Sequence, residues 1–299
     1  MGSSRWDGAR YAVYTSSLAG RSTEQVFESR GMSDDINPKD VAFREARDSV
    51  QNPRSFPIII GLDVTGSMKR IPDYMVRTGL GTMVEEILAR DGIADPAVCI
   101  MGIGDAAFDC APLQVGQFES DIRINEWTQK LFLEGGGGGN RFESYDLPYY
   151  FAAHHTRTDA FEKRGQKGVL VTIGDEMPPP NTKAMHIERF IGGATVRGDI
   201  AFTRTVELAK RMYTPYHIII AEGDYASRHS DSVRAAWQEI LGQNAIVLAD
   251  HTNIAELIVS ILELESGKSL EEVVESWDGP VSTIIGESLR PDRRMDTPA

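Results

Sequence analysis

Two kinds of apolar pattern take turns along the middle of this chain. Phe56-Pro57-Ile58-Ile59-Ile60-Gly61-Leu62 is a short, nearly unbroken apolar run, as a parallel strand buried on both faces requires. Behind it, over 71–89, Met75, Leu80, Met83, Ile87 and Leu88 recur at helical spacing and predict a helix with one apolar side. A second buried strand is predicted over 97–103, with 112–118 as its hairpin neighbour and 105–109 in the turn. The alternation continues with a helix over 149–155, a strand over 168–173, a helix over 201–212 and a strand over 217–221. A helix over 230–241, a strand over 245–249 and a helix over 254–265 complete it.

Strands alternating with helices from 56 to 266 predict a single α/β domain, an open, mostly parallel Rossmann-like sheet with helices on both faces. Residues 1–55 are mainly polar and read as an N-terminal extension, with one helical stretch over 38–50 that Asp34, Asp35 or Asn37 could cap. Residues 267–299 read as a C-terminal tail, loose from Pro280 onward. In open sheets of this kind, ligands sit beyond the carboxyl ends of the strands. The loops after Leu62, Ile103 and Ile173 therefore matter most, and each carries an aspartate.

Composition narrows the chemistry. The 299 residues are 41% hydrophobic, enough for a sizeable core. A formal charge of -13 argues against nucleic-acid or anionic-membrane partners and suits acidic groups that collect cations. The opening MGSSRWDGARY has no apolar core of the kind a secretory signal needs. No apolar run approaches the roughly 20 residues that span a bilayer. Cys99 and Cys110 are too few for a disulfide framework and read as reduced thiols, which with the missing signal gives a cytoplasmic expectation.

Asp63-Val64-Thr65-Gly66-Ser67 follows the first buried strand directly. Alternate positions supply a carboxylate and two hydroxyls, and Gly66 permits a tight bend. One carboxylate, two hydroxyls and waters make a hard, all-oxygen donor set suited to Mg²⁺ or Mn²⁺ rather than Zn²⁺. Thr and Ser before a helix also serve as plain N-caps. Asp175 ends a second buried strand in Val169-Leu170-Val171-Thr172-Ile173-Gly174-Asp175 and can join the group from the neighbouring loop. Two such aspartates repel unless a cation or proton intervenes. Glu176 reads as solvated.

On Asp63, Thr65, Ser67 and Asp175, in that order of strands and loops, the chain resembles a von Willebrand factor A domain with its metal-ion-dependent adhesion site. The resemblance covers about 56–266, including Val247-Leu248-Ala249-Asp250 and the closing helix. It implies a Rossmann-like sheet, a bound Mg²⁺ (or Mn²⁺) with one open coordination position, and a protein partner whose carboxylate fills that position. The second loop departs from the family, which places Thr after a glycine pair. Here five glycines, 135–139, lead into Asn140-Arg141-Phe142-Glu143-Ser144. Asn140 stands in the nearest register, with Glu143 or Ser144 as substitutes. Asp105 could form an outer rim with them. By analogy with cytoplasmic domains of this type, the partner is a larger multiprotein assembly, including ATPase-linked ones.

Other chemistry fits less well. Asp-Val-Thr-Gly-Ser also resembles the nucleophile loop of haloacid-dehalogenase-like phosphotransferases, which would make Asp63 the nucleophile. That scheme wants a further aspartate soon after Gly174-Asp175, where Met177-Pro178-Pro179-Pro180 stands instead. A metal-free scaffold, with Thr65 and Ser67 only capping a helix, is the third reading. The glycine run lacks the Gly-Lys-Ser/Thr ending of a phosphate loop. No histidine pair has ligand spacing. Of His154 and His155, one is expected in solvent and one facing the core. Tyr145, Tyr149, Tyr150 and Phe151 are expected to pack the helix after the glycines.

Overall fold

The computed structural model describes residues 5–90, 92–134, 141–193 and 196–290. Among the described residues ten strands form in chain order: β1 (Arg44–Ala46), β2 (Ser55–Asp63), β3 (Asp95–Ile103), β4 (Leu113–Val115), β5 (Thr156–Thr158), β6 (Gly168–Gly174), β7 (Asn181–Thr182), β8 (Ile200–Ala201), β9 (Tyr213–Ile220) and β10 (Ala245–Leu248). Six of them make the central sheet, in the order β10-β9-β6-β2-β3-β4. Every pairing in it is parallel except the β3–β4 hairpin. The predicted mostly parallel, Rossmann-like sheet is what forms.

The buried strands read as continuous apolar runs because both faces are covered. On one face Ile58, Ile60, Leu62, Val169, Val171, Ile173, Ile218 and Ile220 meet the helices Leu80–Ala89 and Ile254–Glu265. On the other, Ile59, Cys99, Met101, Leu170 and Ile219 meet Asp146–His154, Phe202–Ala209 and Ala226–Leu241. Cys99 is a buried free thiol whose proton burial holds on, pushing its pKa up to about 12.

The two faces explain where the site lies. After β2 the chain crosses to β3 along the first face, through Arg70–Tyr74 and Leu80–Ala89. After β6 it crosses to β9 along the second face, through Phe202–Ala209. Connections leaving adjacent strands in opposite directions open a crevice at their carboxyl ends. Asp63 is the last residue of β2, and Asp175 follows the last residue of β6.

The flanking segments depart from expectation. No helix forms over 38–50. Arg44–Ala46 is instead strand β1, paired in parallel with β5. The Arg44 guanidinium donates to the carbonyls of Asp35 and Val115, and its N–H donates to the His155 carbonyl. Tertiary pairing has overridden local propensity. Helix Gly8–Leu18 arises where none was expected, and Leu18, Val26, Phe27 and Ile36 join the first core. The stretch from Pro280 is not loose up to Arg290. Helix Gly279–Leu289 forms there, after helix Leu270–Glu275, with Val273 and Ile285 fully buried. Pro280 stands in the first turn of the second helix, where a missing N–H costs nothing. The expectation for 291–299 lies outside the described residues. Among the described residues, no helix is long and apolar enough to cross a membrane.

Candidate functional site

Asp63 is fully buried at the end of β2. Its Oδ1 accepts from the Thr65 N–H at 2.9 Å and from the Thr65 hydroxyl at 2.6 Å. A carboxylate reaching two residues along its own chain forms an Asx turn, which carries the chain into the short 3₁₀ turn Gly66–Lys69. The Thr65 hydroxyl therefore bonds Asp63 and does not cap that turn, contrary to the scaffold reading for this residue. The side chain of Ser67, and Asn140 altogether, lie outside the described residues.

The second oxygen of Asp63 has a partner that sequence reasoning assigned to packing. Tyr145, fully buried, donates its hydroxyl proton to Asp63 Oδ2 at 3.0 Å and accepts the Glu176 N–H at 3.4 Å. Its ring is seated by T-shaped contacts with His217 and Trp237 at 5.0 and 5.4 Å. The hydroxyl passes so near the backbone that a Cβ on Gly174 would lie 1.9 Å from it. Glycine at the end of a central strand, just before Asp175, was the available signal for such a close approach. Below the tyrosine, His217 Nδ1 meets the Thr172 hydroxyl at 2.9 Å, and burial pushes the imidazole pKa well down, so it is neutral.

Asp175 is buried beside Asp63. Its Oδ2 accepts the Tyr225 N–H at 2.8 Å, and the loop after β9 presses Gly223 against it, where a Cβ would meet its own Cβ at 2.3 Å. Glu143, 4% exposed, enters from the second loop. Glu176, read from sequence as solvated, is half-buried, because Trp237 Nε1 fixes its carbonyl at 2.9 Å and folds the residue inward. Glu143 Oε2 and Glu176 Oε2 are both buried, and neither has a hydrogen-bond partner.

The electrostatics follow from burial among like charges. Burial raises the Asp63 pKa to about 7, with Thr65 pulling it down and the charge of Asp175 pushing it up. Burial raises Asp175 also, against the N–H groups of Tyr225 and Ala226, with Asp224 adding to the rise. Glu176 is raised to about 8 by burial and then by Asp63, Asp175 and Asp105. Glu143 reaches about 11, through burial and the charges of Asp63, Glu176, Asp105 and Asp109. No lysine or arginine figures among the groups acting most strongly on these four carboxyls.

The remaining rim residues shape the loops. Asp105 is buried; its N–H donates to Asp109 Oδ2 at 2.7 Å, and its Oδ1 accepts the Ala107 N–H at 2.8 Å. The Ser144 hydroxyl accepts the Ala106 N–H at 2.9 Å, and its own N–H donates to the Gly104 carbonyl at 3.0 Å. Ser144 thus ties the second loop to the loop after β3. His155 is buried with Nδ1 on the Val41 carbonyl at 2.9 Å and His154 is exposed, as expected.

The structure thus places Asp63, Thr65, Glu143, Asp175 and Glu176 around the switch point, with no three of their carboxylate oxygens within 4.8 Å of one another. Carboxyl and hydroxyl oxygens spaced in this way suit a hard cation that keeps part of its water shell. A nucleophilic role suits Asp63 poorly, since both its oxygens accept hydrogen bonds and none of the residue is exposed. A second grouping, missed in the sequence, lies one strand away. Ligand atoms of Glu222, Asp250 and His251 all fall within 4.8 Å of one another. That group is compensated from within. His251 Nδ1 contacts Glu222 Oε1 directly, Arg70 stands 3.7 Å from Glu222, and Asp250 accepts from the Thr252 N–H and hydroxyl.

No protein-family model matches the chain, and no curated protein sequence matches it. Solved structures do. The chain is similar to the pilus adhesin SpaC from Lactobacillus rhamnosus GG in its open conformation, at 12% identity and a TM-score of 0.48, over 78% of this chain and 31% of the adhesin. It is similar to proximal thread matrix protein 1 from the mussel byssus, at 10% identity and a TM-score of 0.42, over 71% of this chain and 47% of that one. It is also similar to a von Willebrand factor type A protein from Catenulispora acidiphila, at 13% identity and a TM-score of 0.38, over 72% of this chain and 43% of that one. The chain spans about a third of the adhesin and less than half of the other two.

Proposed function

We propose that this chain is a divalent-cation-dependent protein-interaction module of von Willebrand A type. Mg²⁺ or Mn²⁺ is held by Asp63, Thr65, Ser67 and Asp175, with Asn140 or Glu143 contributing from the second loop. A partner's carboxylate takes the remaining coordination position, so the protein acts by binding and not by catalysis. One observation supports this reading: four carboxyls withdrawn from water surround the point where the sheet's connections diverge, with no Lys or Arg among their strongest influences and two buried oxygens lacking any partner. Buried charges of one sign are stable only when paired or protonated. Mg²⁺, which keeps several waters, fits a site in which some carboxylates act through water.

Calorimetric titration of the EDTA-treated full chain tests it. Wild type should bind MgCl₂ and MnCl₂ saturably, and Asp63→Asn should weaken both by roughly 100-fold or more, since a ligating carboxylate matters at least as much as the groups behind one. Wild type giving neither heat nor a rise in Tm with either ion would remove the cation from the account. With Mg²⁺ present, a peptide carrying an aspartate side chain should be retained on the immobilised protein and released by EDTA.

A further inference from the structure

Next to the proposed cation cluster, and sharing Glu143 with it, lies a cavity of about 170 Å³. Asp105 lines it from the loop after β3, Glu143 and Asp146 line it from the segment entering helix Asp146–His154, and Phe142, Pro179 and Pro180 wall it. Asp146 is 2% exposed at the start of helix Asp146–His154, and a hydrogen bond with Thr182 holds its carboxyl. Its Oδ2 nevertheless meets no donor, and neither does Oε2 of Glu143. A buried acceptor left without a partner is costly, so two around one cavity point to a ligand that supplies donors. Lys183, on the same rim, does not supply them. It is exposed and makes no ion pair with Asp146 within 4.0 Å among the described residues.

We propose that this cavity is a binding site for a guanidinium or primary ammonium group. A lone metal ion suits it less. The oxygens of Asp105, Glu143 and Asp146 do not gather within 4.8 Å of one another, a condition met among the described residues by Glu222, Asp250 and His251. A guanidinium spreads five donors over a plane and reaches acceptors too far apart for one ion. Its flat, weakly hydrated faces and methylene stem suit walls of proline and phenylalanine. Glu143 is shared with the proposed cation cluster, so the site rests chiefly on Asp146 and the cavity walls and is tested with and without Mg²⁺.

The ligand is either a free amine or guanidine or the side chain of a protein partner, and one titration series separates them. The full chain is titrated with agmatine and with the capped peptides acetyl-Gly-Arg-Gly-amide and acetyl-Gly-citrulline-Gly-amide, each in EDTA and in Mg²⁺. Saturable binding is expected for agmatine or the arginine peptide, at least tenfold weaker for the neutral citrulline peptide, with and without Mg²⁺. Tighter binding of agmatine assigns a free ligand, and tighter binding of the arginine peptide assigns a partner's side chain. Asp146→Asn should weaken the preferred ligand about tenfold. Failure of both cationic probes, equal binding of the citrulline peptide, or an unchanged affinity in a folded Asp146→Asn protein overturns the proposal. The citrulline comparison needs no variant, and the EDTA arm keeps this result independent of the divalent cation.

Discussion

The two ends of the central sheet gather carboxylates in opposite ways. At the amino end, beside Ser55, Asp48 and Asp159 are enclosed by Arg47, Lys163 and Arg164. Asp159 lies 2.9 Å from Arg47 and 2.7 Å from Lys163, and Asp48 lies 2.8 Å from Arg164. Burial alone would push the Asp159 pKa up, but the Lys163 hydrogen bond, the Asp48 N–H and Arg47 outweigh it and hold the carboxyl at about 2. At the carboxyl end Asp63, Glu143, Asp175 and Glu176 are likewise withdrawn from water and all are raised, by burial first and then by neighbours of the same sign, with no cation to offset either. Burial is common to both ends, so the sign of the neighbours decides. A cluster that brings its own cations is complete and serves the fold. One that does not holds protons or, in the proposed reading, takes a cation from outside.

That contrast can be broken most forcefully at the amino end. Asp159→Asn leaves Arg47 and Lys163 facing a neutral side chain, and should cost about 2 kcal/mol in urea unfolding, less than a deeply buried pair because both cations reach solvent. An unchanged midpoint would mean that the amino-end network is ornamental.

The pH dependence of stability should separate the two ends. The folded-state pKa values of Asp63, about 7, and Glu176, about 8, lie above unfolded values of roughly 3.9 and 4.3. Their contribution is full below about pH 4 and is lost as pH rises through 7 and 8. Asp159 runs the other way: its contribution is present above about pH 4 and is lost as pH falls through about 2. In EDTA the chain should therefore have a lower Tm at pH 8 than at pH 5.5. Saturating Mg²⁺ should erase the difference. A Tm that rises over this interval in EDTA would contradict the carboxyl-end electrostatics.

The smallest effect sharpens the role of Tyr145. Tyr145→Phe keeps the ring against His217 and Trp237 and removes only the hydroxyl that favours ionised Asp63. Mg²⁺ affinity at pH 7 should fall about threefold, near 0.6 kcal/mol. An unaltered affinity would assign Tyr145 to packing alone.

The succession of strands and helices, the loops at the strands' carboxyl ends and the pair Asp63 and Asp175 were legible in the sequence, because buried parallel strands and the loops that end them are local patterns. Glu176 and Tyr145 were not. Whether a glutamate at a strand end faces water depends on Trp237, more than sixty residues away, which fixes its carbonyl. Tyr145 looks like any aromatic before an apolar helix until Gly174 is seen to make room for its hydroxyl. The segment 38–50 misled for a related reason. Its helical spacing is real, but Arg44 bonds Asp35, Val115 and His155, and those partners are invisible to a local window. Helix Gly8–Leu18 escaped notice because Leu18 is its one buried residue, which leaves almost no apolar stripe to read.

The small ring formed by Thr65 and Asp63 also fixes what the loop can say to a visitor. Thr65 owns two protons fit for hydrogen bonding, on its nitrogen and its hydroxyl, and both are turned back onto Asp63. Tyr145 commits its own in the same direction. Outward, these groups show lone pairs only. An anion arriving alone meets no free donor on Thr65 or Tyr145, whereas a cation meets acceptors ready to turn. In the proposed reading, a carboxylate-bearing partner is repelled by the empty loop and held by the loaded one. Recognition then requires two arrivals in a fixed order, and attachment of the partner reports that the ion came first.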